Sequence, residues 1–112
     1  MSIMHFSNTL GLFAKINPEI NSTMIQVFIY VAQAGIVNQK NIQDRLNLTN
    51  STASRNISWW CSDKVYGKPG VGFIERYEDP TDRRYKLIRL TPAGQQFYAR
   101  VVDSLKYFSQ AA

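Results

Sequence analysis

Apolar residues recur along this chain first with a helical period and later with a period of two. From Ser2 to Ile16, the residues Ile3, Phe6, Leu10 and Phe13 fall at spacings of three and four, the stripe of an amphipathic helix, weakened by Gly11. Asn17-Pro18 ends the pattern, because proline disfavours helical backbone at the residue before it. A second helix is predicted from Asn21 or Ser22, both good N-caps, to about Ala34, with Gly35 as its stop. Met24, Val27, Phe28 and Val31 line one face of it, and Ile25, Ile29 and Ala32 line another. A helix apolar around most of its circumference is a buried one, so this is the expected centre of the core.

Ile36-Val37 is too short for more than a strand stub. A short helix follows from Asn38 or Gln39 to about Leu46, with Ile42 and Leu46 inward and Lys40, Gln43, Asp44 and Arg45 outward. Asn47-Leu48 makes a turn, and Thr49 is placed to N-cap a third helix ending near Ser62. At about 100° per residue, Ala53, Ile57, Trp60 and Cys61 share one face, and Ser51, Thr52, Arg55 and Ser62 share the opposite one. Trp59 falls with the polar set, which is unusual for an outward position. A Gly/Pro-containing loop spans Lys64 to Gly70. The period then changes. Strands are predicted from Val71 to Tyr77 and from Tyr85 to Leu90, joined by a polar turn beginning Asp79-Pro80-Thr81-Asp82. That is a β-hairpin with Arg83 and Arg84 at or beside its tip. Thr91-Pro92 is an N-cap followed by proline at the first helical position, and the last helix runs to about Phe108. Phe97, Val101, Leu105 and Phe108 form one stripe on it, and Tyr98 and Val102 a second. Two stripes exceed what a small core needs, so a partner surface is expected there.

The length of 112 residues suits one domain, and a hydrophobic share of 45% supports a packed core rather than disorder. The net charge of +5 favours an acidic partner, nucleic acid or an anionic membrane surface. No apolar run approaches the roughly 20 residues of a spanning helix, and the N-terminus has no signal-peptide pattern, so no membrane role is expected. Cys61 is the sole cysteine and cannot form an internal disulfide, which makes a reducing compartment the default. Its helical angle points it at the core, as an inert thiol rather than a redox sensor. His5 is the only histidine. No Cys/His cluster suits zinc, and Gly67, Gly70 and Gly72 do not make a phosphate-binding loop. The expectation is a protein that is not an enzyme and uses no cofactor or metal.

A short helix, a tight turn and a polar second helix form a helix-turn-helix, and a hairpin placed after it is a wing. A helix fits the major groove of B-DNA, and Ser51, Thr52, Arg55 and Asn56 have the chemistry to read bases or bind phosphates there. An ordinary solvated helix face is the plainer alternative, but this face is poor in Lys and Glu. On the hairpin, Arg83, Arg84, Lys86 and Arg89 supply cations, and a guanidinium can enter a narrow minor groove. Asp79 and Asp82 would hold one arginine in place while the other reaches outward. The plainer alternative is a self-paired surface hairpin.

The helix-turn-helix is followed by Gly72-Phe73-Ile74-Glu75-Arg76, then Asp79-Pro80-Thr81-Asp82-Arg83-Arg84, then Leu87-Ile88-Arg89-Leu90-Thr91-Pro92-Ala93-Gly94. In that order they resemble the MarR-like winged helix-turn-helix family of bacterial and phage transcriptional regulators. Ser51-Thr52-Ala53-Ser54-Arg55 is similar to that family's recognition-helix start, and the likeness runs from about Met24 to Phe97. The resemblance implies an α+β, mainly α fold: one winged-helix domain over residues 1–112, with terminal helices 2–16 and 92–108 used for dimerisation. It implies a cytoplasmic homodimeric repressor on a pseudo-palindromic site in double-stranded DNA. Ser51, Thr52, Ser54 and Arg55 would lie near the major groove and Arg83 or Arg84 at the minor groove, with Thr49 and Lys86 also among the DNA-binding residues. Members are often released by a small ligand or by thiol oxidation. Here the terminal helices are short for the family and Ser62–Val71 is longer than its usual link, so no effector is named. The other reading is a winged helix that serves as a protein-interaction module, or as an accessory factor in a replication or packaging assembly, using Trp59 and the aromatic loop around Tyr66.

Overall fold

Each helix begins where the sequence offers an oxygen to its open amides. The computed structural model describes residues 2–62 and 70–111. Ser2 caps α1 (Ile3–Ile16), and the Asn21 side chain accepts from the Met24 amide at 2.9 Å to start α2 (Ser22–Ala34). Asn38 and Asn41 exchange side-chain-to-backbone bonds in a reciprocal box at the head of α3 (Gln39–Leu46). Thr49 caps α4 (Asn50–Trp60), and Thr91 accepts from the Gly94 amide at 3.1 Å at the head of α5 (Pro92–Ala111). The helix-turn-helix turn depends on Asn47, which takes the left-handed conformation at φ 55° and lets the Leu48 amide return to the Gln43 carbonyl. Gln39 Nε2 then reaches Asn50 Oδ1 at 2.6 Å and ties the heads of α3 and α4 together.

The hairpin is β1 (Ile74–Asp79) and β2 (Asp82–Leu90), antiparallel, with Ile74 opposite Leu90, Arg76 opposite Ile88 and Glu78 opposite Lys86. Val37 exchanges two backbone hydrogen bonds with Ile88, at 3.0 and 2.7 Å, so the predicted stub between α2 and α3 anchors the root of the hairpin. This is a mainly helical winged helix-turn-helix, as expected. Its core is an aromatic cluster. Phe13 of α1, Phe28 of α2, Trp60 of α4 and Phe97 of α5 are all buried, and Phe13 meets each of the other three edge-on. The Trp60 indole N–H is satisfied inside that cluster by the Met24 carbonyl at 2.8 Å.

Four sequence expectations are corrected. The first strand begins at Ile74, not Val71. The amides of Val71, Gly72 and Phe73 instead bond the carbonyls of Trp59, Cys61 and Trp60, which are open because α4 ends there. For the same reason α4 stops at Trp60 rather than Ser62, and Cys61 is an extended, buried cap without a disulfide. The second strand begins at Asp82 rather than Tyr85: Asp82 pairs with Asp79 across a two-residue tip, Pro80-Thr81, and Arg83, Arg84 and Tyr85 bulge out before Lys86 pairs with Glu78. Trp59 is not an exposed outward residue: it is half-buried, with its ring edge-on to Trp60 at 4.9 Å. The loop expected over 64–70 lies outside the described residues up to Pro69, as does the Phe108 side chain.

Candidate nucleic-acid interface

The outer surface of α4 carries the residues singled out from the sequence. Ser51 and Arg55 are exposed, and Thr52 and Ser54 are half-buried along its flanks. Thr49 is exposed, but its hydroxyl is engaged as the cap, accepting from the Thr52 amide at 3.2 Å and bonding the Thr52 hydroxyl at 3.0 Å. Arg55 Nη2 lies 3.4 Å from the Thr52 hydroxyl, a long contact that leaves the guanidinium mostly in solvent. Asn56 departs from expectation. It is turned inward and only 9% exposed; its Nδ2 donates to the Thr52 carbonyl at 2.8 Å, while Oδ1 is buried with no partner among the described residues. A groove of about 470 Å³ runs between this surface and the start of α2, lined among others by Thr52, Arg55, Asn56 and Trp59 of α4 and by Thr23 and Met24 of α2.

The wing cations differ in what already holds them. Arg84 is clamped by Asp82 through Nε to Oδ1 at 3.0 Å and Nη2 to Oδ2 at 2.8 Å, the bidentate geometry of a guanidinium on a carboxylate. The hydrogen bond from the Arg84 side chain, then that from its backbone amide, holds the Asp82 carboxyl below the usual aspartate range, and Arg84 itself is pushed up. Lys86 pairs across the strands with Glu78 at 3.2 Å. Arg89 pairs with Glu75 at 2.6 Å and lies over the Tyr77 ring at 4.1 Å, which occupies it twice. Arg83 is exposed and, among the described residues, its side chain has no hydrogen bond or ion pair. The tip itself is an Asx turn: the Thr81 amide and hydroxyl both donate to Asp79 Oδ1, at 2.9 and 2.7 Å, and these bonds lower the Asp79 carboxyl as well.

The two sets of residues meet at Arg76, which the sequence reading passed over. It lies on β1, donates from Nη1 to Ser58 Oγ and from Nη2 to the Ser54 carbonyl, each at 2.9 Å, and so joins the wing to α4. A signal for it was present. Residues two apart on a strand share a face, so Arg76 stands beside buried Ile74 and opposite buried Ile88, and an inward arginine needs acceptors. The protein-module reading relied on Trp59, which is packed, and on Tyr66, which lies outside the described residues.

Among the described residues no group of three or more His, Cys, Asp or Glu is arranged to hold a metal, and no helix is long and apolar enough to cross a membrane. No family model matches the chain, and no curated protein matches it by sequence. Solved structures do. RV1404 from Mycobacterium tuberculosis superposes with a TM-score of 0.75 at 18% identity, over 96% of this chain and 68% of its own. A cysteine-to-serine mutant of MarR from E. coli, complexed with operator DNA, gives 0.62 at 17% identity, over 96% and 76%. Reduced AbfR bound to DNA gives 0.66 at 18% identity, over 93% and 66%. The fold is that of the MarR-type winged helix.

Proposed function

We propose that this chain is a sequence-specific, double-stranded DNA-binding transcriptional regulator. It acts as a homodimeric repressor that occludes a promoter. The observation that carries the reading is the pairing of two features in one small basic body: a helix whose outer face is Ser, Thr and Arg, and a wing, tied to that helix by Arg76, with Arg83 left unpaired beside its tip. Two of the similar structures, those of MarR and AbfR, are complexes with DNA. In this reading Ser51, Thr52, Ser54 and Arg55 address the major groove, and Thr49, with its hydroxyl engaged, helps order the amides at the head of α4 toward a phosphate. Arg83 enters the minor groove. Arg84 and Lys86, already paired with carboxylates, serve the phosphate backbone, which supplies most of the affinity and little of the specificity. The dimer is supported by the apolar face of α1, where Ile3 is 78% and Met4 64% exposed and Phe6 and Leu10 are exposed beside them.

Selection of bound duplexes from a random pool supplies a site on which to test this. Arg55→Ala and Arg83→Ala each lower affinity for that site by about 1–3 kcal/mol, the range of a lost groove contact, and leave the melting temperature in place. Arg84→Ala costs less than Arg83→Ala. Unchanged gel-shift affinity in both Arg55→Ala and Arg83→Ala removes the helix-and-wing reading.

A further inference from the structure

A helix and a wing that read one duplex together must be held at a fixed separation. Here the tie is a guanidinium. Arg76 stands mid-strand on β1, on the face of buried Ile74, and its fork takes Ser58 Oγ and the Ser54 carbonyl at 2.9 Å each. Residues four apart on a helix are neighbours one turn apart. Two donors of a rigid plane, seated on two such neighbours, resist both sliding along α4 and rotation about it. The lever beyond this point spans three rungs of the hairpin. At about 3.3 Å per residue, the rung of Asp79 and Asp82, with Arg83 beside it, lies roughly 10 Å from the rung of Arg76 and Ile88. A tilt of about 10° at the root therefore displaces the tip by roughly 2 Å, enough to lengthen a hydrogen bond past its range.

We propose that Arg76 is a positioning residue: it sets the spacing between recognition helix and wing, and thereby makes the wing contact of Arg83 depend on the helix being seated. The proposal rests on the DNA-binding reading. The backbone bonds of Val37 with Ile88 and of Phe73 with Trp60 hold the hairpin to the body, but neither grips α4 along its length. Lysine in place of Arg76 would keep the charge and lose the fork. A residue acting as a phosphate contact would tolerate that change, and a brace would not.

The test uses the full chain, the selected duplex and a random duplex, each variant assayed well below its own melting temperature. Arg76→Met and Arg76→Lys are both expected to bind the selected duplex about tenfold more weakly, with random-duplex affinity within about twofold of the parent and an unchanged salt slope. The penalty of Arg83→Ala, measured in the Arg76→Met background, is expected to fall below about twofold. Ser58→Ala removes one acceptor, leaves Arg76 in place and should reproduce a smaller part of both effects, which keeps the test open if Arg76→Met folds poorly. An Arg83→Ala penalty of the same factor in both backgrounds overturns the proposal, and so does full affinity in Arg76→Lys. A shallower salt slope in Arg76→Met overturns it in favour of a direct phosphate contact. Absence of salt-dependent duplex binding by the parent chain sinks the DNA reading itself, a result distinct from the others.

Discussion

At Gly94 the start of α5 meets the backbone that enters β1. A Cβ there would lie 2.0 Å from the Phe73 carbonyl oxygen, and that oxygen is already fixed by the Thr91 amide at 3.0 Å. Backbone held by its own hydrogen bond yields less readily than a side-chain tip. Gly94→Ala is therefore expected to destabilise the fold by about 1–3 kcal/mol through overpacking, read as a lower urea midpoint with unchanged slope. Asn56 points the other way. Its Oδ1 is buried without a donor among the described residues, and an unmade bond of that kind costs about 1–3 kcal/mol. Leucine is also the better helix former. Asn56→Leu should raise unfolding free energy by about 1 kcal/mol, since the groove beside it has room for the added methyl groups. Because the amide is turned inward, DNA affinity should not change; a drop in stability would mean that Oδ1 has a donor after all.

Among the elements, the wing has the most definite electrostatics. Asp82 is held below its ordinary pKa by Arg84, and Asp79 by the Thr81 hydroxyl and amide. A carboxyl whose folded pKa is depressed adds stability above its unfolded pKa, and that stability disappears as pH falls through the folded value. The tip should therefore keep its geometry at neutral and mildly acidic pH and loosen only below the ordinary carboxylate range. Carboxyl NMR titration checks this: Asp82 titrating at or above the value of a free aspartate contradicts the clamp. The same elements show what could be read from the chain. Caps are local, so Thr49 and Thr91 mark the helix starts correctly, and of the two candidates Asn21 and Ser22 it is Asn21 that caps α2. Strand β1 was misjudged because Val71 to Phe73 spend their amides on the carbonyls ending α4, a tertiary demand invisible to a two-residue period. The outer face of α4 followed from its wheel, except at Trp59, which packs edge-on against Trp60; Asn56, offered by its residue type as a base contact, is turned inward. Which arginine stays free also depends on geometry: Asp82 could be placed next to two arginines from the sequence, but only the bulged turn, in which its carboxylate takes both the Arg84 amide and guanidinium, gives it Arg84 and leaves Arg83.

For the whole molecule, α1 carries most of the exposed large apolar side chains among the described residues. It leans on α5, with the Thr9 and Ser104 hydroxyls bonded at 2.6 Å, yet Ile3, Met4, Phe6 and Leu10 remain in solvent. The homodimer proposed above would cover that face. Light scattering should give two chains per particle, and Phe6→Glu with Leu10→Glu should give one, with the circular dichroism of the folded protein retained. A parent chain that is monomeric at high concentration would remove the dimer and leave the groove contacts to a single copy. The measurement that bears most directly on the account is affinity for duplex DNA as a function of salt. Clustered phosphate contacts predict log affinity falling linearly with log salt, with a slope of about −0.9 for each phosphate neutralised, several times that in total. A flat response, or no binding at low salt, contradicts it.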